Sequence, residues 1–311
     1  MSPNSPVLAV DVGGTKMAAA LVDTEGRLLA SERIATLRTQ DADALFDSLR
    51  ALCADLVGST AGVAAIGVGC GGPMRYPEGI VSPINIPAWR GFPLRERLTA
   101  AFGLPCVVDN DAKALALGER WRGAGHGSDN MLGMVVSTGV GGGTILDGRL
   151  LHGFSGNSGH VGHIIVWPDG PLCGCGARGC VEGVSSGTGL ARRLNTALAE
   201  GASSSLQPGA TAEHIATEAR AGDALAQELF RTAGEGVGRG IASAAALLDL
   251  ERVVIGGSIA LRAWDLLAPP LLAEVRAAAR LDFTRDVRVV RAELGDRAGL
   301  FGAARMAFSL L

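Results

Sequence analysis

The sequence predicts an α/β protein built from two related halves, and three observations support this prediction. Short apolar segments of strand length alternate with segments of helical periodicity along all 311 residues. An apolar hairpin with a glycine-rich tip occurs near residue 13 and again near residue 140. The tetrapeptide Gly-Arg-Leu-Leu follows an acidic turn after each hairpin, at 26–29 and at 148–151. The shared order of elements favours a duplication over a chance match.

The first half is predicted from the pattern of apolar residues. Its elements are, in order, strands at 7–11, 17–22 and 27–30, a helix at 42–57, a strand at 64–69, an irregular segment at 75–93, a helix at 94–102, a strand at 105–108 and a helix at 111–121. Prolines and glycines recur too often in 75–93 for regular structure, and such long loops tend to carry binding groups.

The second half repeats the strand and hairpin pattern and then becomes largely helical. Its elements are a strand at 132–137, a glycine-rich turn at 137–143, a strand at 144–146, helices at 189–198, 212–221 and 223–248, a strand at 252–255, a further helix, a strand at 287–292 and a last helix at 298–310. We place the domain boundary in the glycine-rich segment 123–130. The smaller domain is then 1–120 with the C-terminal helix, 298–311, and the larger domain is 121–297.

Composition narrows the class of protein. The chain is 48% apolar with a formal net charge of −3, and it has no long run of Lys or Arg, which argues against a nucleic-acid partner. The segment Met1–Pro6 lacks the basic and apolar regions of a signal peptide, and no apolar run reaches the length of a membrane span. We expect a cytoplasmic protein that has no membrane partner.

The six cysteines fall into two groups. Cys173, Cys175 and Cys180 follow His163 within about twenty residues, and one histidine with three cysteines is the ligand set of a closed, structural Zn²⁺ site. The alternative is a cluster of reduced thiols without a metal. The other three cysteines stand in apolar surroundings, as buried free thiols do, so no disulfide is expected.

Two glycine-rich turns are candidates for phosphate binding. In Gly13-Gly14-Thr15-Lys16, small residues would let backbone N–H groups point at an anion, while Asp11 would hold Mg²⁺ through water. The segment 137–143 offers a second such turn. Each turn joins strand to strand and opens no helix, which excludes a P-loop and a dinucleotide-binding fingerprint. The alternative is a pair of ordinary tight hairpins.

Asp111 is the candidate catalytic base. It follows a strand and opens a helix whose N-cap would be Asp109, Asn110 or Asp111 itself, so a purely structural capping role is the alternative. A carboxylate at this position can accept a hydroxyl proton while that oxygen attacks a phosphorus. We expect the helix N-terminus to lower its pKa. His126, His152 and His214 have no comparable neighbours in sequence, which is typical of surface or packing residues.

Taken together, these motifs resemble the ROK family of sugar kinases and related repressors over nearly the whole chain. The segment 11–16 is similar to the family's first phosphate motif, 137–143 to its second, Asn110-Asp111-Ala112 to its catalytic segment, Gly256-Gly257-Ser258 to its adenosine-side turn, and His163 with the three cysteines to its zinc signature. The resemblance implies two actin-like, ribonuclease-H-like α/β domains around a central cleft. It also implies Mg²⁺ with ATP as cofactor, a hexose substrate, and a homodimer or homotetramer.

The resemblance also implies roles for individual residues. Asp111 would be the base for the 6-hydroxyl of a hexose. The sugar contacts would be Asn85, Asn110, Asp111, His160, His163 and Glu182. The nucleotide contacts would be Asp11, Gly13, Gly14, Thr15, Lys16, Thr138, Gly139, Gly256 and Gly257.

One position departs from the family pattern and leaves the sugar open. Glucokinases of the family usually have Glu three residues before the zinc histidine, whereas this chain has His160. N-acetylmannosamine kinases of bacteria are similar in having His at that position, and Asp169-Gly170-Pro171 also resembles their sequence. A glucokinase is the first expectation, and an N-acetylmannosamine kinase is the alternative.

Two further classes remain as alternatives to a kinase. Sugar-responsive repressors share the fold and the zinc site, but they carry an additional N-terminal helix-turn-helix domain, for which a first hairpin that starts at about residue 7 leaves no room. A sugar sensor without catalytic activity is disfavoured because Asp11, Lys16 and Asp111 are all present.

Overall fold

Two sheets of the same topology organise the molecule. Within residues 5–60 and 62–311, which the computed structural model describes, the chain forms two five-stranded sheets, one small three-stranded sheet and ten α-helices. The remaining N-terminal residues, 1–4, to which part of the expectation about a signal peptide refers, lie outside the described residues.

The first sheet has the strand order β3-β2-β1-β4-β8. Its strands are β1 (Val7–Val12), β2 (Lys16–Val22), β3 (Leu28–Ala35), β4 (Ile66–Cys70) and β8 (Cys106–Asn110). β1 and β2 form the antiparallel hairpin predicted from the sequence, and β2 also pairs with β3 in antiparallel orientation. β1, β4 and β8 run parallel to one another, which places their carboxyl ends at one edge of the sheet.

The second sheet repeats this arrangement. Its strands are β9 (Met131–Val136), β10 (Val140–Leu146), β11 (Arg149–Leu150), β12 (Arg252–Gly256) and β13 (Arg288–Arg291), in the order β11-β10-β9-β12-β13. β9 and β10 form the antiparallel hairpin, whereas β9, β12 and β13 are parallel. The order and the directions of the strands match those of the first sheet one for one. The predicted duplication is therefore confirmed in the topology.

The helices surround the two sheets. They are α1 (Ala42–Ser59), α2 (Leu94–Phe102), α3 (Asp111–Arg122), α4 (Val181–Ser185), α5 (Gly187–Ala199), α6 (Ala212–Ala221), α7 (Ala224–Leu248), α8 (Ser258–Arg262), α9 (Trp264–Ala278) and α10 (Ala298–Phe308). α7 and α9 pack closely together in the core of the second half. Every helix in the described parts of the chain is too short or too polar to cross a membrane.

Helices α3 and α10 join the two halves. α10 comes from the end of the chain, yet it packs against β1 and β4 of the first sheet and against α3. α3 also contacts β9 and β10 of the second sheet. Glycines permit these close approaches, because a Cβ at Gly143 of β10 would lie 2.6 Å from the Cα of Lys113 in α3.

The structure corrects two element predictions. The glycines at 141–143, predicted as part of a turn, belong to strand β10, and the turn itself is confined to the three residues between Val136 and Val140. Glycine lowers strand propensity, but here it makes room for α3. The segment 75–93, predicted as irregular, takes part in the three-stranded sheet of β5 (Met74–Arg75), β6 (Ile80–Val81) and β7 (Phe92–Pro93).

Candidate active site

Asp111 lies where strand β8 ends and helix α3 begins. Asn110 is the N-cap, and its side-chain oxygen accepts a hydrogen bond from the amide of Ala112 at 3.0 Å. Oδ1 of Asp111 accepts from the same amide at 2.8 Å. The N-cap position, which the sequence leaves open among three residues, therefore belongs to Asn110. Asp111 is left as a carboxylate fixed by the helix terminus.

The pKa of Asp111 is set by two opposing effects. Its carboxyl is reached by solvent, but protein atoms surround it on the other sides, and this desolvation raises its pKa above the ordinary value. The hydrogen bonds from the backbone and the proximity of His160 act in the opposite direction and do not outweigh the burial. The backbone amides at the helix N-terminus do lower the pKa, as predicted, but burial outweighs them and the net shift is upward. A raised pKa makes Asp111 a stronger base when ionised.

Asp11 is the neighbour of Asp111 across Gly69. Asp11 of β1 pairs in register with Gly69 of β4, and a Cβ on Gly69 would lie 3.8 Å from Oδ1 of Asp11 and 3.7 Å from Cα of Asp111. The pKa of Asp11 is raised to about 7, mainly by burial and also by the charge of Asp111, while the charge of Lys16 acts in the opposite direction. The two neighbouring carboxylates offer hard oxygen ligands and excess negative charge, which fits Mg²⁺ held directly or through water.

The first glycine-rich turn is tied to two distant segments. The amide of Gly13 donates to the carbonyl oxygen of Lys16 at 3.0 Å, which closes the turn. Nζ of Lys16 lies 2.7 Å from Oδ2 of Asp296, just before α10. A Cβ at Gly14 would lie 2.6 Å from Cβ of Asn85, so the long loop that carries Asn85 packs on this turn. Asn85 and the first turn thus meet, whereas Thr15 points to solvent.

The second glycine-rich turn meets the third glycine junction. Oγ of Ser137 lies 2.8 Å from Oγ of Ser258, and a Cβ at Gly257 would lie 2.5 Å from the carbonyl oxygen of Val136. Gly257 also has φ +94°, which favours glycine. The carbonyl oxygen of Thr138 accepts from Oγ1 of Thr188 at 2.8 Å. Thr138, Gly139, Gly256 and Gly257 therefore gather at one end of the second sheet.

A cavity of about 570 Å³ opens beside these two junctions. Among its lining residues are Thr138, Thr188, Thr211, Glu213, Ser258 and Arg262. The sequence analysis predicts Thr138 as a nucleotide contact, but it does not predict the side chains at the start of α6. The sequence feature that marks this helix start is Thr211, the N-cap of α6, whose Oγ1 accepts a hydrogen bond from the amide of His214. His214 completes this cap, in accord with its predicted structural role.

The predicted zinc ligands converge. The ligand atoms of His163, Cys173, Cys175 and Cys180 all lie within 4.8 Å of one another. Nδ1 of His163 is 3.8 Å from Sγ of Cys173, and Sγ of Cys175 is 3.8 Å from Sγ of Cys180. Zn–S bonds of about 2.3 Å in a tetrahedron place two sulfurs about 3.8 Å apart, far beyond the bond length of a disulfide. The four residues fit a tetrahedral Zn²⁺ site, and no two of the six cysteines are joined by a disulfide.

His160 and Glu182 lie beside the cluster of His163 and the three cysteines, on the side of the second glycine-rich turn. The rings of His160 and His163 are nearly parallel, with their centroids 6.0 Å apart. Burial lowers the pKa of His160, and the neighbouring His163 and Lys113 act in the same direction. A neutral imidazole is the result. Oε2 of Glu182 accepts from the amide of Val140 at 3.0 Å, so one carboxylate oxygen fixes the start of β10.

His152, predicted to be a surface or packing residue, packs beside Asp109 and Tyr76. Its Nδ1 lies 3.0 Å from Oδ2 of Asp109, and its ring stacks on Tyr76 with centroids 4.2 Å apart. Asp109 and Lys113, which the sequence analysis did not assign to the site, form a buried ion pair beneath Asp111. Asp109 and Lys113 are only four residues apart, but their burial and their further contacts, with Gly156 and His152, depend on a distant segment that the local sequence does not reveal.

Comparison with known proteins identifies the family and its sugar-kinase relatives. The model of the ROK family matches residues 7–309. A glucokinase of Streptomyces coelicolor is 35% identical over 314 residues, which cover 96% of each chain. An N-acetylmannosamine kinase of Citrobacter koseri is 38% identical over 304 residues, covering 96% of this chain and 98% of the relative.

A solved structure extends the similarity to the fold. The ROK family glucokinase of Streptomyces griseus, in complex with glucose and AMPPNP, has a TM-score of 0.79 and 34% identity, with 98% of this chain and all of that chain (100%) covered. The prediction of an α/β protein with the actin-like two-domain fold is confirmed. By its sequence over nearly its full length, by its topology and by its motifs, the chain belongs to the ROK family.

Proposed function

We propose that this protein is an ATP- and Mg²⁺-dependent kinase that transfers the γ-phosphate of ATP to the 6-hydroxyl of a hexose. The observation that carries the proposal is the pair of carboxylates, Asp11 and Asp111, on either side of Gly69. One can serve the metal and the other the acceptor hydroxyl. The glucokinase and N-acetylmannosamine kinase relatives support a sugar as the acceptor.

Asp111 acts as the base in this proposal. It accepts the proton of the 6-hydroxyl while that oxygen attacks the γ-phosphorus, the bond to the β-phosphate oxygen breaks, and ADP leaves. Its raised pKa strengthens it as a proton acceptor, and its bond to the amide of Ala112 keeps it oriented. Mg²⁺, held by Asp11, would neutralise the charge that develops on the phosphate oxygens.

The two glycine-rich turns bind the nucleotide. Gly13, Gly14, Thr15 and Lys16 contact the phosphates from the first sheet, and Thr138 and Gly139 contact them from the second. Gly256 and Gly257 lie on the adenosine side, where the 570 Å³ cavity has room for a nucleoside. The AMPPNP in the complex of the Streptomyces griseus glucokinase supports a nucleotide donor.

Asn85, Asn110, His160, His163 and Glu182 bind the sugar. Nδ1 of His163 faces the sulfur of Cys173, so its Nε2 remains for a sugar hydroxyl, and Zn²⁺ has a structural role that fixes this histidine. The capping bond of Asn110 uses its oxygen and leaves its amide group for the sugar. Oε2 of Glu182 is committed to the amide of Val140, and Oε1, which lies 3.7 Å from Sγ of Cys173, serves the substrate.

Glucose is the proposed substrate, and N-acetylmannosamine is the alternative. Two observations favour the alternative specifically: His160 replaces the usual glutamate, and a Citrobacter koseri N-acetylmannosamine kinase is among the relatives. A coupled assay of ADP release with glucose, mannose and N-acetylmannosamine decides between them. We expect the highest kcat/KM for glucose. A kcat/KM at least about tenfold higher for N-acetylmannosamine would establish the alternative, since tenfold corresponds to roughly 1.4 kcal/mol of transition-state binding.

We also propose domain boundaries that follow the sheets. The first domain comprises 1–120 together with 298–311, and the second comprises 121–297. The packing of α10 on β1 and β4 supports the assignment of the C-terminal helix to the first domain.

A further inference from the structure

A buried ion pair lies directly beneath the first turn of α3. Asp109, at the end of β8, is fully buried, and Lys113, two residues after Asp111, is 1% exposed. Nζ of Lys113 lies 3.2 Å from Oδ1 of Asp109, and this oxygen also accepts from the amide of Asn110 at 2.7 Å. The two residues of the pair thus lie two positions before and two positions after Asp111, the proposed base.

Lys113 also reaches a segment from the other half of the chain. Its Nζ donates a hydrogen bond to the carbonyl oxygen of Gly156 at 2.7 Å. Gly156 belongs to the 152–160 loop, which starts at His152 beside Asp109 and ends at His160. The ammonium group thus connects the helix of the proposed base to the loop that delivers His160.

The 152–160 loop is held from a second direction by the long loop of the first half. A Cβ at Gly156 would overlap Cβ of Tyr76, and Nδ2 of Asn157 donates to the carbonyl oxygen of Met74 at 3.2 Å. Lys113 also lies 5.9 Å from the centre of the Tyr76 ring. The only charged group that bonds the loop backbone among the contacts of the described residues is Lys113.

Stability alone does not explain the buried charge of Lys113. A buried ion pair contributes little net stability compared with apolar side chains of the same volume, because both charges must be desolvated. A hydrogen bond from a charged donor to a carbonyl oxygen, however, fixes the position of that oxygen more strongly than a neutral one. The pair is therefore better explained by orientation of the 152–160 loop than by stability.

We propose that Lys113 is a positioning residue that holds the 152–160 loop, and through it His160, in register with Asp111. The proposal rests on the assignment of His160 to the sugar site under the proposed function. It implies that loss of Lys113 weakens binding of the sugar and leaves binding of ATP unchanged, because the nucleotide cavity has no wall from this loop.

The test compares three variants with the wild-type enzyme. Lys113→Met removes the donor and leaves the buried carboxylate of Asp109 without its ammonium partner, so it lowers the melting temperature as well. The double variant Asp109→Asn/Lys113→Met removes both charges at similar volume and restores stability, but it does not restore the bond to Gly156. Ile241→Val, in the core of the second half, is a control for a mild loss of stability away from the site.

Two measurements are made on each protein. Steady-state kinetics give KM for the preferred sugar and for ATP, and hydrogen exchange followed by mass spectrometry gives the protection of the 152–160 loop. We expect the KM for sugar to rise about tenfold or more in both Lys113 variants, with the KM for ATP within roughly twofold of wild type. Exchange in the loop should accelerate in both variants and stay unchanged in Ile241→Val.

The outcomes separate this proposal from the proposed function. If the KM for sugar in the double variant returns to the wild-type value together with the melting temperature, Lys113 has a structural role and the proposal is wrong. Unchanged exchange in the loop overturns it as well, even if Lys113→Met does not fold, because the double variant reports the same loop. A wild-type enzyme that phosphorylates no sugar overturns the proposed function, and the exchange measurement still decides whether Lys113 holds the loop.

Discussion

Gly302 of α10 packs directly against the backbone of Ala114 in α3, so closely that a Cβ at Gly302 would overlap the carbonyl oxygen of Ala114. The contact is reciprocal, because a Cβ at Gly118 of α3 would overlap the carbonyl oxygen of Ala298 in α10. These glycines set the distance between the two helices. α3 starts at Asp111 and α10 follows Asp296, the partner of Lys16, so the spacing of the helices also sets the geometry of the site.

Gly302→Ala is expected to destabilise the protein, because the added methyl group must displace the backbone of α3. Overpacking of this kind costs about 1–3 kcal/mol. Urea unfolding measures the change. Gly58→Ala is the matched control, since a Cβ at this exposed position near the end of α1 meets nothing within 4 Å and should stabilise the helix by about 0.5–1 kcal/mol. Equal stability of the two variants would contradict the packing argument.

Asp223 provides a prediction on the pH dependence of stability. It caps α7 by accepting from the amide of Ala226 at 2.9 Å and also accepts from the amide of Ser205 at 2.7 Å. Desolvation acts to raise its pKa, but these bonds and those of neighbouring hydroxyls outweigh it and lower the pKa to about 2. A lowered pKa in the folded state means that the stabilisation is present above about pH 4 and is lost as the pH falls toward 2.

Asp223→Ala should therefore cost about 1 kcal/mol of unfolding free energy at neutral pH, as is typical for loss of an N-cap. The difference from wild type should shrink between pH 4 and pH 2. Thermal unfolding across this range measures it. Asp282→Ala is the control, since its carboxylate is almost fully exposed and pairs with the nearby, exposed Arg285. A difference for Asp223→Ala that stays constant down to pH 2 would contradict the assignment.

The cluster of His163, Cys173, Cys175 and Cys180 is a candidate zinc site, and it predicts one equivalent of tightly bound zinc per chain. Cys175→Ser should lose the metal and lower the melting temperature, because a structural zinc site contributes directly to folding free energy. The substitution should also raise the KM for sugar, because His163 would no longer be held in position by the metal. Elemental analysis of the purified protein measures the metal. Cys106→Ala, outside the cluster, should retain it, and a wild-type protein purified without zinc would contradict the prediction.

The raised pKa of Asp111 predicts the acid limb of the pH–rate profile. The base must be ionised to accept a proton, so kcat/KM for the sugar falls as the pH drops through the pKa of the free enzyme. We expect the midpoint of this limb to lie above the ordinary aspartate value of about 4. Circular dichroism at each pH separates loss of activity from unfolding. A midpoint at or below 4 would contradict the assigned environment of Asp111.

Local patterns in the sequence were sufficient to predict most elements and the residues that form the motifs. Asp111 was placed correctly at the start of a helix because capping residues and apolar periodicity are local signals. The zinc ligands were found because their spacing in sequence is short. The shared topology of the two sheets followed from a repeated order of hairpin, acidic turn and Gly-Arg-Leu-Leu.

Long-range packing could not be predicted in this way. The glycines of β10 were assigned to a turn because the sequence does not show that Lys113 of α3 packs against Gly143. The raised pKa of Asp111 could not be predicted because the helix terminus, which lowers it, is visible in sequence, whereas the surrounding protein that desolvates the carboxyl is not. Asp109, Lys113 and His152 were missed as a group because their contacts join segments about 40 residues apart in sequence.

The central claim is that Asp111 is the base that activates a hexose hydroxyl for attack on ATP. The most direct test compares the wild-type enzyme with Asp111→Asn, with the product identified by phosphorus NMR and the rate measured by ADP release. The account predicts a hexose 6-phosphate from the wild-type enzyme and a kcat lower by about 10²–10⁴ in Asp111→Asn, with binding of ATP retained. A variant that turns over within about tenfold of the wild type, or a wild-type enzyme that forms no sugar phosphate, would contradict it.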